Sequence, residues 1–255
     1  MKIENSVVLV TGGASGIGEC IALYYMEKGG IVYICDLQEE KGKKLEANTN
    51  SKIKFIKCDI TNEESVSSLI EKIKSEQGRL DVVINSAGIV WAEMIATEKS
   101  SHSKEAFEKV IKVNTLGSFL VAKYAAKLMI ANFDTKKECN GVIIFIASIA
   151  GIEGQRGQTA YSASKGALLG MTLPMARDLG RFKIRVNSIA PGIIETPMTE
   201  GMRQNKVGKI IVEATPLKTL GKPIHVCQAT EFAVTCDFVN GSTIRVDGGV
   251  RLPHF

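Results

Sequence analysis

The turn Thr11-Gly12-Gly13-Ala14-Ser15-Gly16-Ile17-Gly18 follows the β-branched and aliphatic run Val7–Val10 and opens an amphipathic stretch from about Ile17 to Lys28. Strand, tight glycine turn and helix in that order leave few folds open. Glycine there lets the backbone turn sharply, admits a pyrophosphate close to the main chain and lets the helix pack on the sheet. The helix N-terminus offers unpaired N–H groups to an anion. A glycine-rich turn by itself is also an ordinary loop, so the rest of the chain has to decide. The alternation continues, with strands expected near Ile31–Cys35, Ile53–Cys58, Val82–Asn85, Val142–Ala147, Arg185–Ile189 and Thr243–Val246, and helical patterns between most of them. Apolar runs covered by helices on both faces are the sequence form of a parallel sheet. We expect one α/β domain, a doubly wound parallel sheet over residues 1–255, since no composition shift, proline-rich linker or low-complexity tract divides the chain. Two helical segments are long, about Lys104–Phe133 and about Ala160–Arg181. Ile193–Pro223 has weak periodicity and interrupts the alternation before the last strand, which reads as a substrate lid.

At 255 residues, with 45% apolar and 23% charged residues, the chain can bury a large core, and disordered and fibrous classes are excluded. The net charge of +5 is spread without a basic block, so nucleic acid is not indicated as a partner. No apolar run approaches the roughly 20 residues of a membrane-spanning helix, and Met1–Asn5, with Lys2 and Glu4, shows no signal peptide. Six cysteines without a C-x-x-C pair point to a reducing compartment. His102, His225 and His254 stand far apart, and no metal site is expected. The lone Trp91 is expected to serve packing.

Asp36 ends the second strand, 18 residues after Gly18, where a dinucleotide fold needs a carboxylate for the adenosine ribose hydroxyls. The same carboxylate repels a 2′-phosphate: two unit charges about 4 Å apart interact by roughly 4 kcal/mol at an effective dielectric of about 20. Ser15 in the glycine turn and Leu37 after Asp36 supply no compensating cation, so the expected cofactor is NAD. Asp59 and Ile60 end the third strand, suited to an adenine amino contact and an apolar cover over the ring; alone, Asp59 would be a helix cap. Asn85-Ser86-Ala87-Gly88 closes the fourth strand with small residues that let a ligand approach the backbone, although by itself it is a turn signal.

Tyr161 and Lys165 lie four apart in Tyr-Ser-Ala-Ser-Lys at the start of a helix and so share one face. Phenol, with a reference pKa near 10, is too weakly acidic to be a base at neutral pH. An adjacent ammonium and the positive ring of oxidised nicotinamide would favour phenolate and make the tyrosine a general acid and base. Ser148, at the end of the preceding apolar strand, could hold the substrate oxygen beside it. Asn114 in Val-Asn-Thr sits within the first long helix, where a buried amide signals packing or a local kink. Each residue alone has an ordinary reading as a cap or exposed polar group; their order after the glycine turn is what carries weight.

Taken together, Thr11-Gly12 through Gly18, Asn85-Ser86-Ala87-Gly88, Asn114, Ser148, Tyr161 to Lys165, Pro191-Gly192 with Thr196, and Asp247-Gly248-Gly249 resemble the short-chain dehydrogenase/reductase family over essentially the whole chain. The resemblance implies a Rossmann fold and a tetrad of Ser148, Tyr161, Lys165 and Asn114. In it Lys165 also binds the nicotinamide ribose and Asn114 holds a proton-relaying water. Thr196 would bind the carboxamide, and Pro191, Gly192 and Ile194 would line the cofactor. Ser86 stands where the family commonly has asparagine.

A narrower resemblance lies in Glu153-Gly154-Gln155, Gly157-Gln158, Gly170–Pro174, Ala176–Leu179 and the segment between Gly88 and Asn114. It is similar to the 3-hydroxyacyl-CoA dehydrogenase type 2 group, also known as 17β-hydroxysteroid dehydrogenase type 10. That group implies NAD-linked oxidation of (S)-3-hydroxyacyl-CoA, activity on steroid alcohols, Gln158 as a substrate contact, and a homotetramer. It also implies a mitochondrial address, whereas the absence of a visible targeting segment reads as cytoplasmic. Alternatives are a hydroxysteroid dehydrogenase, an NADPH-dependent 3-oxoacyl reductase, which Asp36 opposes, and a non-catalytic dinucleotide-binding scaffold. The resemblance of the Gln155–Gln158 segment carries the acyl-CoA reading, and the lid is compatible with it. Ile193, Ile194, Met198, Met202 and Leu217 give an apolar lining, and Arg203, Lys206, Lys209, Lys218 and Lys222 outnumber Glu200 and Glu213, a balance that could meet CoA phosphates or merely be a solvated loop. The long helices, with Ala163, Gly166, Ala167 and Gly170 along the second, are expected to build the tetramer together with the C-terminal segment.

Overall fold

β1 (Val7–Thr11) sends Val7 and Leu9 into one apolar core and Val8 and Val10 into another, as a strand with side chains alternating across its two faces must. The computed structural model describes residues 1–196, 199 and 206–251. β2 (Ile31–Asp36), β3 (Ile53–Lys57), β4 (Val82–Asn85), β5 (Gly141–Ile146), β6 (Ile184–Pro191) and β7 (Thr243–Val246) complete a seven-stranded sheet in the order β3-β2-β1-β4-β5-β6-β7, every pairing parallel.

Helices cover both faces. α3 (Glu63–Gln77), α5 (Ser118–Ala131) and α6 (Thr159–Gly180) close the core of Leu9, Tyr33, Val83 and Phe145 with Leu69, Ile73, Val121, Met129 and Leu168. α1 (Gly16–Glu27) and α8 (Pro223–Thr235) close the core of Val8, Ile34, Ile84 and Ile144 with Ile21, Tyr25, Val226 and Ala233. Each fully buried aliphatic or aromatic side chain contributes about 1.5–3 kcal/mol, so neither helical layer can be dropped. α2 (Glu39–Asn48), α4 (Lys104–Ile111) and α7 (Lys206–Ala214) complete the helices among the described residues. All six cysteines are unbridged.

Strand order reverses between β1 and β4, which opens a crevice at their carboxyl ends; doubly wound sheets bind ligands in such crevices. Two neighbours hold it in shape. At the opposite end, Asp81 accepts from Val7 N at 2.7 Å and from Arg79 Nε at 2.8 Å, which registers β1 against β4. Buried Arg185 in β6 donates to the carbonyls of Ala233 and Val234, satisfying the last turn of α8.

Two expectations gain detail. The helical pattern over Lys104–Phe133 is one unbroken run to Ala131, with the local kink expected at Asn114: α4 and α5 are joined through a π-helical turn at Lys112–Gly117. The weakly periodic Ile193–Pro223 contains α7, and its ends are joined by a bridge between Ile194 and Gly221.

Candidate active site

The glycine turn lies at the switch point. Gly12 has φ +64°, and a Cβ there would fall 2.7 Å from Ala87 Cα, so β1 and β4 meet only because no side chain intervenes. Thr11 Oγ1 accepts from the N–H groups of both Ser86 and Ala87 at 3.1 Å, which fixes the two loops together; serine in place of the family's asparagine leaves these backbone contacts intact. A Cβ on Gly18 would fall 2.2 Å from the Gly12 carbonyl oxygen, so α1 starts directly over the turn. Ser15, the N-cap, makes no capping bond from its side chain, which leaves the first-turn N–H groups of α1, including that of Ile17, available to an anion. Gly16, with φ +59°, faces only the Thr196 side chain, about 3.9 Å from its would-be Cβ. Thr196 thus stands across the crevice from the turn, and its N–H donates to Thr199 Oγ1 at 2.9 Å.

Asp36 ends β2 with one carboxylate oxygen accepting from Ala14 N at 3.2 Å and the other from Gln38 N at 3.0 Å. It is aimed at the turn, and among the described residues it forms no ion pair. Leu37 is 61% exposed beside it. Asp59 accepts from Thr61 N at 2.9 Å. Ile60 is buried against Gly117, whose would-be Cβ lies 2.7 Å from its side chain.

At the carboxyl end of β5, Ser148 Oγ accepts from Ala150 N at 3.1 Å, and its hydroxyl favours the ionised form of the Tyr161 phenol. Lys165 is 5% exposed; its Nζ donates to the Ile146 carbonyl at 2.8 Å and lies 5.8 Å from the centroid of the Tyr161 ring. No carboxylate balances it among the described residues. Burial therefore lowers the Lys165 ammonium to about 8. The expected lowering of Tyr161 is not found in the free chain, where burial outweighs the influence of the Ser148 hydroxyl and raises the phenol above its ordinary value.

Asn114 is fully buried. Its Oδ1 accepts from Ile89 N at 2.8 Å, and its Nδ2 donates to Ile89 O and to Ser164 Oγ, both at 2.9 Å. The π-helical turn aims this amide out of the helix ladder, joining the loop after β4 to the catalytic face of α6. Gly88 packs between them: a Cβ there would lie 3.2 Å from Asn114 Oδ1 and 3.4 Å from Lys165 Nζ. Asn85 is buried with neither side-chain polar atom partnered by protein.

A nicotinamide dinucleotide fits these residues. The side-chain-free turn, the aimed Asp36 carboxylate, the unpaired Lys165 ammonium and the Gly88 gap match its pyrophosphate, ribose hydroxyls and ring. Other expected residues have firmer structural duties. Pro191 is buried in β6, Gly192 packs on Asp247, and Ile194 is core rather than lining. Gln158 Oε1 accepts from Gln155 N at 3.0 Å, which leaves its amide N–H groups and one oxygen lone pair for a substrate. Ile193 is half-buried and Leu217 is 70% exposed, while Met198, Met202 and Arg203 lie outside the described residues.

Sequence reasoning missed three features. Arg245 joins Glu153 to Asp247 and so ties the loop before Tyr161 to the end of β7. Glu93 gathers Trp91 Nε1 and Ser103 N, each at 3.0 Å. Trp91, expected to be packed, is 43% exposed. No spacing rule could have found the first two, which join segments 10 to 94 residues apart or an irregular loop.

A model of the short chain dehydrogenase family matches residues 6–207. The chain is 39% identical over 253 residues to the 3-hydroxyacyl-CoA dehydrogenase type-2 of Drosophila melanogaster, covering 98% of this chain and 99% of the fly protein. It is 35% identical over 255 residues to the 3-oxoacyl-acyl-carrier-protein reductase FabG of Thermotoga maritima, covering 98% and 99%. The crystal structure of 3-hydroxyacyl-CoA dehydrogenase type-2 from Mycobacterium avium superposes with a TM-score of 0.90 at 35% identity, covering 98% of this chain and 97% of that one. With the glycine turn, Ser148, Tyr161 and Lys165 converging on one crevice, the chain belongs to the short-chain dehydrogenase family of nicotinamide-dinucleotide oxidoreductases.

Proposed function

We propose that the protein oxidises a secondary alcohol to a ketone with NAD, its substrate being an (S)-3-hydroxyacyl-CoA. The observation that carries this reading is the buried Lys165 ammonium, held by the Ile146 carbonyl with its Nζ 5.8 Å from the centroid of the Tyr161 ring, on the face where Ser148 ends β5. NAD, when bound, takes up the hydride from the carbinol carbon. Ser148 Oγ accepts from Ala150 N, which leaves its one proton to be directed between the Tyr161 oxygen and the substrate oxygen. Tyr161 Oη takes the hydroxyl proton in oxidation and returns it in reduction. Burial alone works against phenolate, so the Lys165 charge and the positive ring of the cofactor have to supply the lowering that the free chain lacks. Asn114 acts by position: its side chain locks Ile89 and Ser164, and a relaying water would fall to main-chain groups of the π-helical turn.

Asp36 supports NAD over NADP, since its carboxylate is fixed by two backbone N–H groups and forms no ion pair among the described residues, Lys57 opposite it in β3 being taken up by Glu39. The likeness to the fly and mycobacterial enzymes supports the acyl-CoA, and exposed Lys209, Lys218 and Lys222 on the lid suit its phosphates. Likeness to the Thermotoga reductase supports a second reading, NADPH-linked reduction of a 3-oxoacyl thioester. One panel separates them: 3-hydroxybutyryl-CoA, free 3-hydroxybutyrate and a steroid alcohol with NAD or NADP, and 3-oxobutyryl-CoA with NADH or NADPH. We expect kcat/KM with NAD to exceed that with NADP at least about a hundredfold, roughly 2.7 kcal/mol, and the thioester to exceed the free acid by a margin that shrinks as salt rises. Preference for NADPH would establish the second reading.

A further inference from the structure

We infer that Trp91, held in place by Glu93, is the apolar wall that receives the acyl chain beyond the reacting carbon and so sets the enzyme's preference for long chains. This rests on the secondary-alcohol reading above and adds to it the residue that chooses among substrates.

Trp91 lies on a short span anchored at both ends to the catalytic machinery. On one side Ile89 is gripped through both its N–H and its carbonyl by Asn114. On the other, Glu93 N donates to Gly157 O at 2.8 Å. Gly157 has φ +78°, and its would-be Cβ would lie 3.5 Å from Glu93 N, so the two backbones touch there. Gly157 immediately precedes Gln158, the N-cap of the helix that carries Tyr161. The span Val90–Ala92 therefore runs between the Asn114 amide and the N-terminus of the helix that carries Tyr161. It carries large apolar surface in water, with Val90 44% and Trp91 43% exposed.

The indole is not a loose surface group. Nε1 donates to Glu93 Oε2 at 3.0 Å, and the same oxygen accepts from Ser103 N at 3.0 Å. An aromatic ring fixed by its polar edge offers apolar area to a ligand with little rotamer entropy left to lose. The charge of its anchor selects which part of the ligand it meets. The Trp91 and Ser103 N–H groups hold the Glu93 carboxyl below the usual carboxylate range, so it is an anion at neutral pH. An anion there repels CoA phosphates and is indifferent to an alkyl chain. The phosphates are left to the lid lysines, and the chain to Trp91.

Trp91 is the only tryptophan, so its emission reports this wall alone. With NAD bound, adding 3-oxodecanoyl-CoA to form the unreactive ternary complex should shift Trp91 emission to the blue, and 3-oxobutyryl-CoA should shift it much less. In turnover, Trp91→Ala should lower kcat/KM for 3-hydroxydecanoyl-CoA about tenfold or more through KM, leaving 3-hydroxybutyryl-CoA within about twofold and the KM for NAD unchanged. Glu93→Ala should reproduce that pattern, and Glu93→Gln, which keeps an accepting oxygen, should restore wild-type chain preference. Equal effects of Trp91→Ala on both chain lengths, or none on either, overturn the inference while leaving the dehydrogenase reading standing. Wild-type inactivity toward both thioesters overturns the acyl-CoA reading and this inference with it.

Discussion

At Lys165, burial and function oppose each other. The ammonium is surrounded by protein, keeps one carbonyl partner, and is lowered to about 8 against an ordinary 10.5. Because its folded value lies below its unfolded one, the cost is fully present at pH 7. It is relieved as pH rises through about 8, where the folded chain gives up the proton that the unfolded chain keeps to about 10.5. Urea unfolding of the dinucleotide-free protein should thus show wild type gaining on Lys165→Met by ~3 kcal/mol between pH 7 and pH 10.5; a difference that does not vary with pH would contradict this placement of the charge. The positions of Tyr161 and Lys165 were legible in the sequence because a helix puts residues four apart on one face. The direction of the phenol's shift was not, since it depends on burial by surrounding segments. Trp91 misled for the same reason: an indole in a loop is packed or exposed according to where Gly157 meets Glu93, a contact between residues 64 positions apart.

Among the elements, α1 and its turn make the closest backbone-to-backbone joint at a glycine among the described residues. Gly18 sits where any Cβ would meet the Gly12 carbonyl oxygen at 2.2 Å, a backbone atom that cannot rotate away. Gly18→Ala should push α1 off the turn, destabilise the protein by about 1–3 kcal/mol and weaken NAD binding at least tenfold by calorimetry, whereas unaltered binding would show that the close approach is not needed. All seven strands were readable because parallel strands buried on both faces give unbroken apolar runs, and their ends moved by only a residue or two. The long helix over Lys104–Phe133 and a kink at its buried Asn114 were legible from side-chain periodicity; that the kink is a π-helical turn was not, because the amide's partners, Ile89 and Ser164, lie outside the helix. α7 was overlooked because Lys206–Ala214 is short and contains Gly208, Val207, Ile210, Ile211 and Val212, residues of modest helix propensity.

For the molecule as a whole, the exterior of α4, the π-helical turn, α5 and α6 carries Phe107, Leu116, Phe119 and Leu173, each 37–43% exposed. Along α6, Gly166 approaches the Gly151 carbonyl within the chain, whereas a Cβ on Gly170 would meet nothing within 4 Å. Exposed apolar surface beside a small residue suits a second copy of the chain, and we propose a homotetramer built partly on this face. Light scattering should give about four times 27.6 kDa. Gly170→Arg, harmless within one chain and favourable to an exposed helix, should lower that mass without lowering the helical signal; a tetramer undisturbed by it would place the interface elsewhere. The central claim is that one tyrosine moves the proton while hydride leaves the carbinol carbon of a 3-hydroxyacyl thioester. Its most direct test is single-turnover NADH formation from 3-hydroxybutyryl-CoA, for wild type and for Tyr161→Phe, with NAD affinity measured in parallel. We predict unchanged NAD affinity and a chemical step slowed by about two orders of magnitude or more; a folded, NAD-binding Tyr161→Phe protein that forms NADH at the wild-type rate would contradict it.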